Sequence, residues 1–206
     1  MDKKPSNDKE ELILNAAQRR FASYGYSKVT MDEIADDVGM AKASLYYYFP
    51  TKEAIFRSVV QHEQEEFLTQ TKEVLAHSGS ASQKLVEYVR LRMKLTERLS
   101  NLSQIHQQAW HDVKPIFQEL FKKFVQHELH YVIQILQEGK KSGEFHLEEP
   151  TKIASMILFV LQGLHLRFFR GYDQQVINES DYKLFEQETL VFVDTILHGL
   201  CKKLKH

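Results

Sequence analysis

Cysteine is all but missing from this chain, with Cys201 standing alone among 206 residues. One thiol excludes an intramolecular disulfide and fits a reducing cytoplasm. Proline and glycine are also scarce, at four and eight copies, and no clear alternating pattern of the strand type is present. These absences favour an all-helical protein. The longest apolar stretch, near Ile153 to Phe169, is broken by Gln162, His165 and Arg167, so it is too short and too polar to span a membrane. The opening residues, MDKKPSNDKEE, hold no apolar core of a secretion signal, and a soluble, cytoplasmic protein is expected. An excess of one charge is missing too. Lys and Arg total 27 against 28 Asp and Glu, so binding to nucleic acid has to rest on a local patch rather than on overall basicity. What is present is 43% hydrophobic residues, enough for the packed core of one or two domains.

The most informative stretch is Met31 to Pro50, MDEIADDVGMAKASLYYYFP. Thr30 is a good N-cap, and Glu33 three residues later completes a capping box. Ile34, Ala35 and Val38 mark the apolar stripe of a helix that ends at Gly39, where a positive φ lets the chain turn sharply. A second helix follows from Lys42 to Phe49, with Leu45 and Phe49 one turn apart on its inward face. A small residue at the crossing, glycine at the turn and leucine as the plug form the pattern of a helix-turn-helix, whose second helix lies in the DNA major groove. Upstream, Ile13, Ala16, Ala17, Phe21 and Tyr24 mark one face of a first helix that Gly25 stops. Three helices thus fall within the first 50 residues, the minimum that can bury such a motif.

The spacing of Ile13, Leu14, Ala16, Ala17, Phe21, Gly25 and Tyr26, then Thr30, Met31, Ile34, Ala35 and Gly39, then Leu45, Tyr46, Tyr48, Phe49, Lys52 and Glu53, strongly resembles the DNA-binding domain of the TetR family of bacterial repressors. The likeness covers about residues 8 to 56. It implies an all-α fold of about nine helices, with a helix-turn-helix domain over residues 1–52 and a larger effector-binding and dimerisation domain over 53–206. The implied function is a homodimeric repressor that binds a palindromic, double-stranded operator and is released by a small hydrophobic or amphipathic effector.

Lys42, Ala43 and Ser44 occupy the first turn of the recognition helix, the part that meets base edges. Lys42 suits guanine O6 or N7, Ser44 suits several bases, and Ala43 can touch a thymine methyl. Tyr46, Tyr47 and Tyr48 are consecutive and point in three directions. The resemblance places Tyr47 near bases or backbone, and Tyr46 and Tyr48 near phosphates or the domain core. Lys52 opens the next helix, where an ammonium and a helix N-terminus together suit a phosphate, and Lys28 and Thr30 flank the groove from the other side. Asp32, Glu33, Asp36 and Asp37 lie close by, and Asp36 and Asp37 have to point away from phosphate.

A long helix from Thr51 to about His77 leads into the C-terminal part, where helical patterns cover 84–99, 102–110, 115–141, 150–170 and 181–204. For an effector the candidates are Tyr88, Arg92, His106, Trp110, Phe117, Phe121, Phe159, Gln162 and His165, as apolar walls with a few polar groups. The penultimate and last helices have more apolar residues than one face needs, so a partner chain is expected to cover the rest. Ile157, Leu161, Leu164 and Phe168 of one helix, with Phe192, Ile196 and Leu200 of the other, are the expected dimer interface. His106 with His111, and His127 with His130, lack a cysteine or carboxylate cluster at ligand spacing, so neither metal nor cofactor is expected. No nucleophile elbow, phosphate loop or HExxH motif is present, and an enzyme is not expected. The competing non-enzymatic reading is a dimeric helical ligand-binding protein whose DNA binding is weak or lost.

Overall fold

The computed structural model describes residues 5–102, 107–171 and 179–202. Eight helices and no strand lie among them: α1 (Pro5–Tyr24), α2 (Met31–Asp37), α3 (Lys42–Tyr48), α4 (Lys52–Ala76), α5 (Ala81–Leu102), α6 (Gln107–Ser142), α7 (Pro150–Gly171) and α8 (Glu179–Cys201). About nine were expected. The difference lies in α6, which runs through Pro115 where the sequence suggested two segments. Proline removes one amide donor there, and burial of Ile116 and Phe124 on the same helix offsets that loss. None of the described helices is long and apolar enough to cross a membrane.

The chain forms two compact units, each built from separate stretches. One comprises residues up to Glu65 with Glu97–Phe121, the other Glu66–Thr96 with the residues from Lys122 onward. The first unit includes the opening turns of α4 together with α1–α3. The reason is Phe56, a fully buried ring of α4. That ring meets Phe21 of α1 at 5.3 Å, Tyr26 at 4.8 Å and Phe117 of α6 at 5.7 Å between centroids. Aromatic contacts of this kind add to the area that the rings bury. Ile13, Ala16, Ala17, Ile34, Ala35, Leu45 and Phe49 complete the core around it, but Tyr24 is 58% exposed and turns outward. Glu63, buried on α4, accepts from Gln18 of α1 and pairs with Arg98 of α5.

The second unit is closed by α7 packing on α8, with Phe168 stacked on Phe185 at 4.3 Å. Glu144 caps α5, accepting from the Ala81 and Ser82 amides at 2.8 and 2.9 Å. Gly139 of α6 lies under Phe145, so close that an added Cβ would sit 2.2 Å from the ring. Only a hydrogen fits between that backbone and the buried ring.

Two substitutions test these cores by urea unfolding followed by circular dichroism. Phe56→Ala should cost about 3–5 kcal/mol, and Gly139→Ala about 1–3 kcal/mol through overpacking. A loss under about 0.5 kcal/mol in either variant, within the range of an ordinary surface change, would contradict the packing described.

Candidate functional site

The sequence signals around α2 and α3 take physical form as a capping box. Thr30 and Glu33 each satisfy the other's backbone amide, the Thr30 amide donating to Glu33 at 2.8 Å and the Glu33 amide to Thr30 Oγ1 at 3.3 Å. The Thr30 hydrogen bonds hold the Glu33 carboxyl below its ordinary value. After α2 the chain reverses at Gly39, whose φ is 63°, and the Met40 amide bonds back to Ala35 at 2.9 Å. No neighbour crowds Gly39, so glycine is needed there for its left-handed backbone and not for space. Leu45 and Phe49 then anchor α3 in the core.

With those two residues inward, the opposite side of α3 faces solvent. Lys42, Ala43 and Ser44 are exposed, Tyr46 is 41% exposed and Tyr47 86%. Tyr48 is half-buried, its ring edge-on to Tyr47 at 5.6 Å. Lys28 and Thr30 are exposed beside α2, and Lys28 lines a shallow depression with Arg20, Tyr24, Val29 and Glu33. Of the three tyrosines Tyr47 projects furthest, and Tyr48 leans on it.

Two lysines are engaged in ways the sequence reading did not foresee. Lys52, expected at a phosphate, directs its ammonium into the loop before α2. It donates to the Tyr26 and Val29 carbonyls at 2.9 and 2.8 Å and reaches Ser27 O at 3.4 Å. The same ammonium lies 4.6 Å from the centre of the Tyr26 ring. It thus acts as a strut for the protein's own backbone. Lys42 is paired with Asp32 of α2 at 2.7 Å, and the Asp32 hydrogen bond holds its ammonium above the ordinary lysine value. Asp37 is turned towards α1, where Arg20 grips both its oxygens at 2.6 and 2.8 Å. That hydrogen bond keeps the Asp37 carboxyl below its usual value.

The effector candidates divide between the units. Phe117 and Phe121 belong to the first, where Phe117 packs on Phe56. Tyr88, Arg92 and His165 belong to the second. Tyr88 and Arg92 meet at Glu128, a residue the sequence reading missed, and His165 feels the charge of Arg92. The Tyr88 hydroxyl donates to Glu128 Oε1 at 2.7 Å, and Arg92 Nε donates to the same oxygen at 2.8 Å. Burial, with the Glu128 carboxylate beside it, pushes the Tyr88 phenol well above its ordinary value. The available signal was the position of Glu128 on the apolar stripe of α6, between Phe124 and Val132 at helical spacing. Phe159 is 77% exposed and Gln162 is exposed as well, so neither lines the interior. His106 lies outside the described residues, as does the side chain of Trp110.

The interface candidates are also redistributed. Ile157, Leu161 and Leu200 are buried within the chain itself, and Leu164, Phe168, Phe192 and Ile196 are half-buried. Among the described residues, the large apolar side chains left outside on these two helices are Met156 and Phe159 on α7 and Leu184 and Val191 on α8. The helical period is the reason: a face adjacent to the expected one turns outward.

Residues 13–59 match the family of bacterial regulatory proteins called the tetR family. Over 94% of its length the chain is similar to a transcriptional regulator from Cytophaga hutchinsonii, covering 99% of that structure at 37% identity and a TM-score of 0.87. It is 25% identical over 170 residues to the nucleoid occlusion factor SlmA of Escherichia coli K12, across 80% of this chain and 84% of SlmA. The fold is also that of SmeT, the repressor of the Stenotrophomonas maltophilia multidrug efflux pump SmeDEF. There the TM-score is 0.68 at 15% identity, covering 95% of this chain and 91% of SmeT.

Two outcomes follow from the geometry. Lys52→Met should lower stability by about 2 kcal/mol, the scale of lost hydrogen bonds to a charged group, and a melting curve identical to wild type would contradict the strut. Burial, reinforced by Arg92, lowers the His165 imidazole from 6.5 to about 4. Its contribution is therefore complete above pH 6.5 and is lost as the pH falls towards 4, because the unfolded chain takes up the proton first. His165→Gln should remove on the order of 2–3 kcal/mol of the stability lost between pH 7 and 4, read from urea titrations at each pH.

Proposed function

The chain belongs to the TetR family of bacterial transcriptional regulators, and on that premise we propose that it is a homodimeric repressor that reads a palindromic operator through α3. The observation carrying this reading is the solvent-facing row of Lys42, Ala43, Ser44, Tyr46 and Tyr47 on a helix held rigid by Leu45 and Phe49. Residues 1–52 hold the DNA, with Lys28 and Thr30 beside the recognition helix and Tyr48 in its last turn. The part from 53 to 206 carries the dimer contact and the effector, in the cytoplasm.

Two recognition helices enter successive major grooves about 34–36 Å apart. The exposed apolar residues Met156, Phe159, Leu184 and Val191 form the partner surface, at the flank of the half-buried Leu164, Phe192 and Ile196. A small hydrophobic or amphipathic effector enters the second unit near Tyr88, Arg92 and His165, where polar groups are held within an apolar interior. It releases DNA to the extent that it prefers the conformation with the wrong groove spacing.

The test is selection of genomic fragments by the purified protein at moderate salt, followed by footprinting. An enriched palindrome protected on two successive major grooves is expected, and no enrichment even at low salt would favour a ligand-binding protein without DNA reading. Tyr47→Ala and Lys42→Ala should each weaken operator binding by about tenfold, the scale of one good base contact, with the dimer intact in sedimentation. Phe159→Glu should yield monomers in the same measurement, and an intact dimer would displace the partner surface from α7.

A further inference from the structure

α2 carries four acids in its seven residues: Asp32, Glu33, Asp36 and Asp37. Arg20 takes up Asp37 at 2.6 Å and Glu33 at 3.4 Å, contacts that hold α1 to α2. Asp32 is used differently. Its two oxygens lie 2.7 and 2.8 Å from the Lys42 ammonium, which stands in the first turn of α3. The two side chains are 58% and 59% exposed, so no buried charge needs the pair, and an exposed pair contributes little to stability. Structural need does not account for a bridge at this position. We propose that Asp32 is a specificity-determining residue for DNA reading, one that withholds the Lys42 ammonium from non-operator phosphates and yields it to a G·C base pair.

The chemistry separates the two targets. A phosphate that takes Lys42 brings its own negative charge against the Asp32 carboxylate, which already neutralises that ammonium. A G·C pair carries no net charge at its major-groove edge. It offers guanine O6 and N7 to a lysine, and the cytosine N4 amine as a donor to an aspartate. It can therefore satisfy both members of the pair, where a phosphate satisfies one and repels the other. Discrimination arises from the penalty on the wrong target as much as from contact with the right one. Asp36 supplies an internal control. It is exposed and carries the same charge on the same helix, but it makes no contact with Lys42.

This inference rests on the reading that α3 enters the major groove, and the experiment separates the two. Full-length wild type, Asp32→Asn and Asp36→Asn are titrated by fluorescence anisotropy across a salt series. The probes are the duplex that wild type enriches from genomic fragments and a scrambled duplex of equal length and composition. Asp32→Asn should bind the scrambled duplex about three- to tenfold tighter at low salt, and its plot of log K against log salt should steepen by about one, the value for one added phosphate contact. Its ratio of operator to scrambled affinity should fall at least threefold, roughly the lower end of one base contact. Asp36→Asn should leave that ratio at the wild-type value. An unchanged ratio in Asp32→Asn, or an equal fall in both variants, overturns the proposal while leaving the DNA-binding reading intact. Failure of wild type to enrich any duplex overturns both.

Discussion

The placement of α3 begins from one ammonium group. Lys52, at the start of α4, ties down the carbonyls of Tyr26 and Val29, which lie in the loop that delivers the chain to Thr30 and α2. Three partial negative charges pointing at one spot would repel one another without a cation among them, and the Lys52 ammonium, 4.6 Å from the centre of the Tyr26 ring, supplies it. Phe56, one turn further along α4, fills the space below, against Phe21 and Tyr26. The capping box at Thr30, the turn at Gly39 and the plug at Leu45 then carry that placement forward to α3. A helix of seven residues has little stability of its own, so its orientation has to come from these supports.

Charge is used sparingly in the same region. A chain with a net charge of -1 cannot attract DNA by bulk potential, and α2 adds four acids beside the reading face. Two of them are turned to Arg20 and one to Lys42. Each cation near α3 thus already has a partner within the fold, or else stands exposed in the loop as Lys28 does. Any contact that Lys42 makes outside the fold has to begin from its pair with Asp32. Tyr47, uncharged and projecting, offers contact without adding to non-specific attraction.

The second unit shows two uses of surplus side chains. Tyr88, Arg92 and Glu128 bring polar atoms into an interior that apolar residues could have filled. Such a cluster stabilises only when every member is satisfied, and here one carboxylate oxygen serves two donors. On the outside, Met156 and Phe159 of α7 and Leu184 and Val191 of α8 remain uncovered. The interior cluster places charge and a phenol inside the second unit, and the outer stripe leaves apolar side chains facing solvent.

The elements nearest the reading face were legible because their signals are local. Thr30 with Glu33, Gly39 after α2, and Leu45 with Phe49 act over three or four residues, within reach of the helical period, and their positions in the chain decide their conformations. Fold class followed from the same periodicity. What only the tertiary structure decided depends on which neighbour arrives. Lys42 met Asp32 ten residues away and Lys52 met Tyr26 at a separation of 26, partners that no local pattern points to. Ile157 and Leu161 turned inward and Met156 and Phe159 outward because α7 is apolar on more than one side, and periodicity cannot choose between two apolar faces. Glu128 found Tyr88 forty residues away; a carboxylate among apolar neighbours shows in the sequence as an exception, but its partners are set only when α5 and α6 pack.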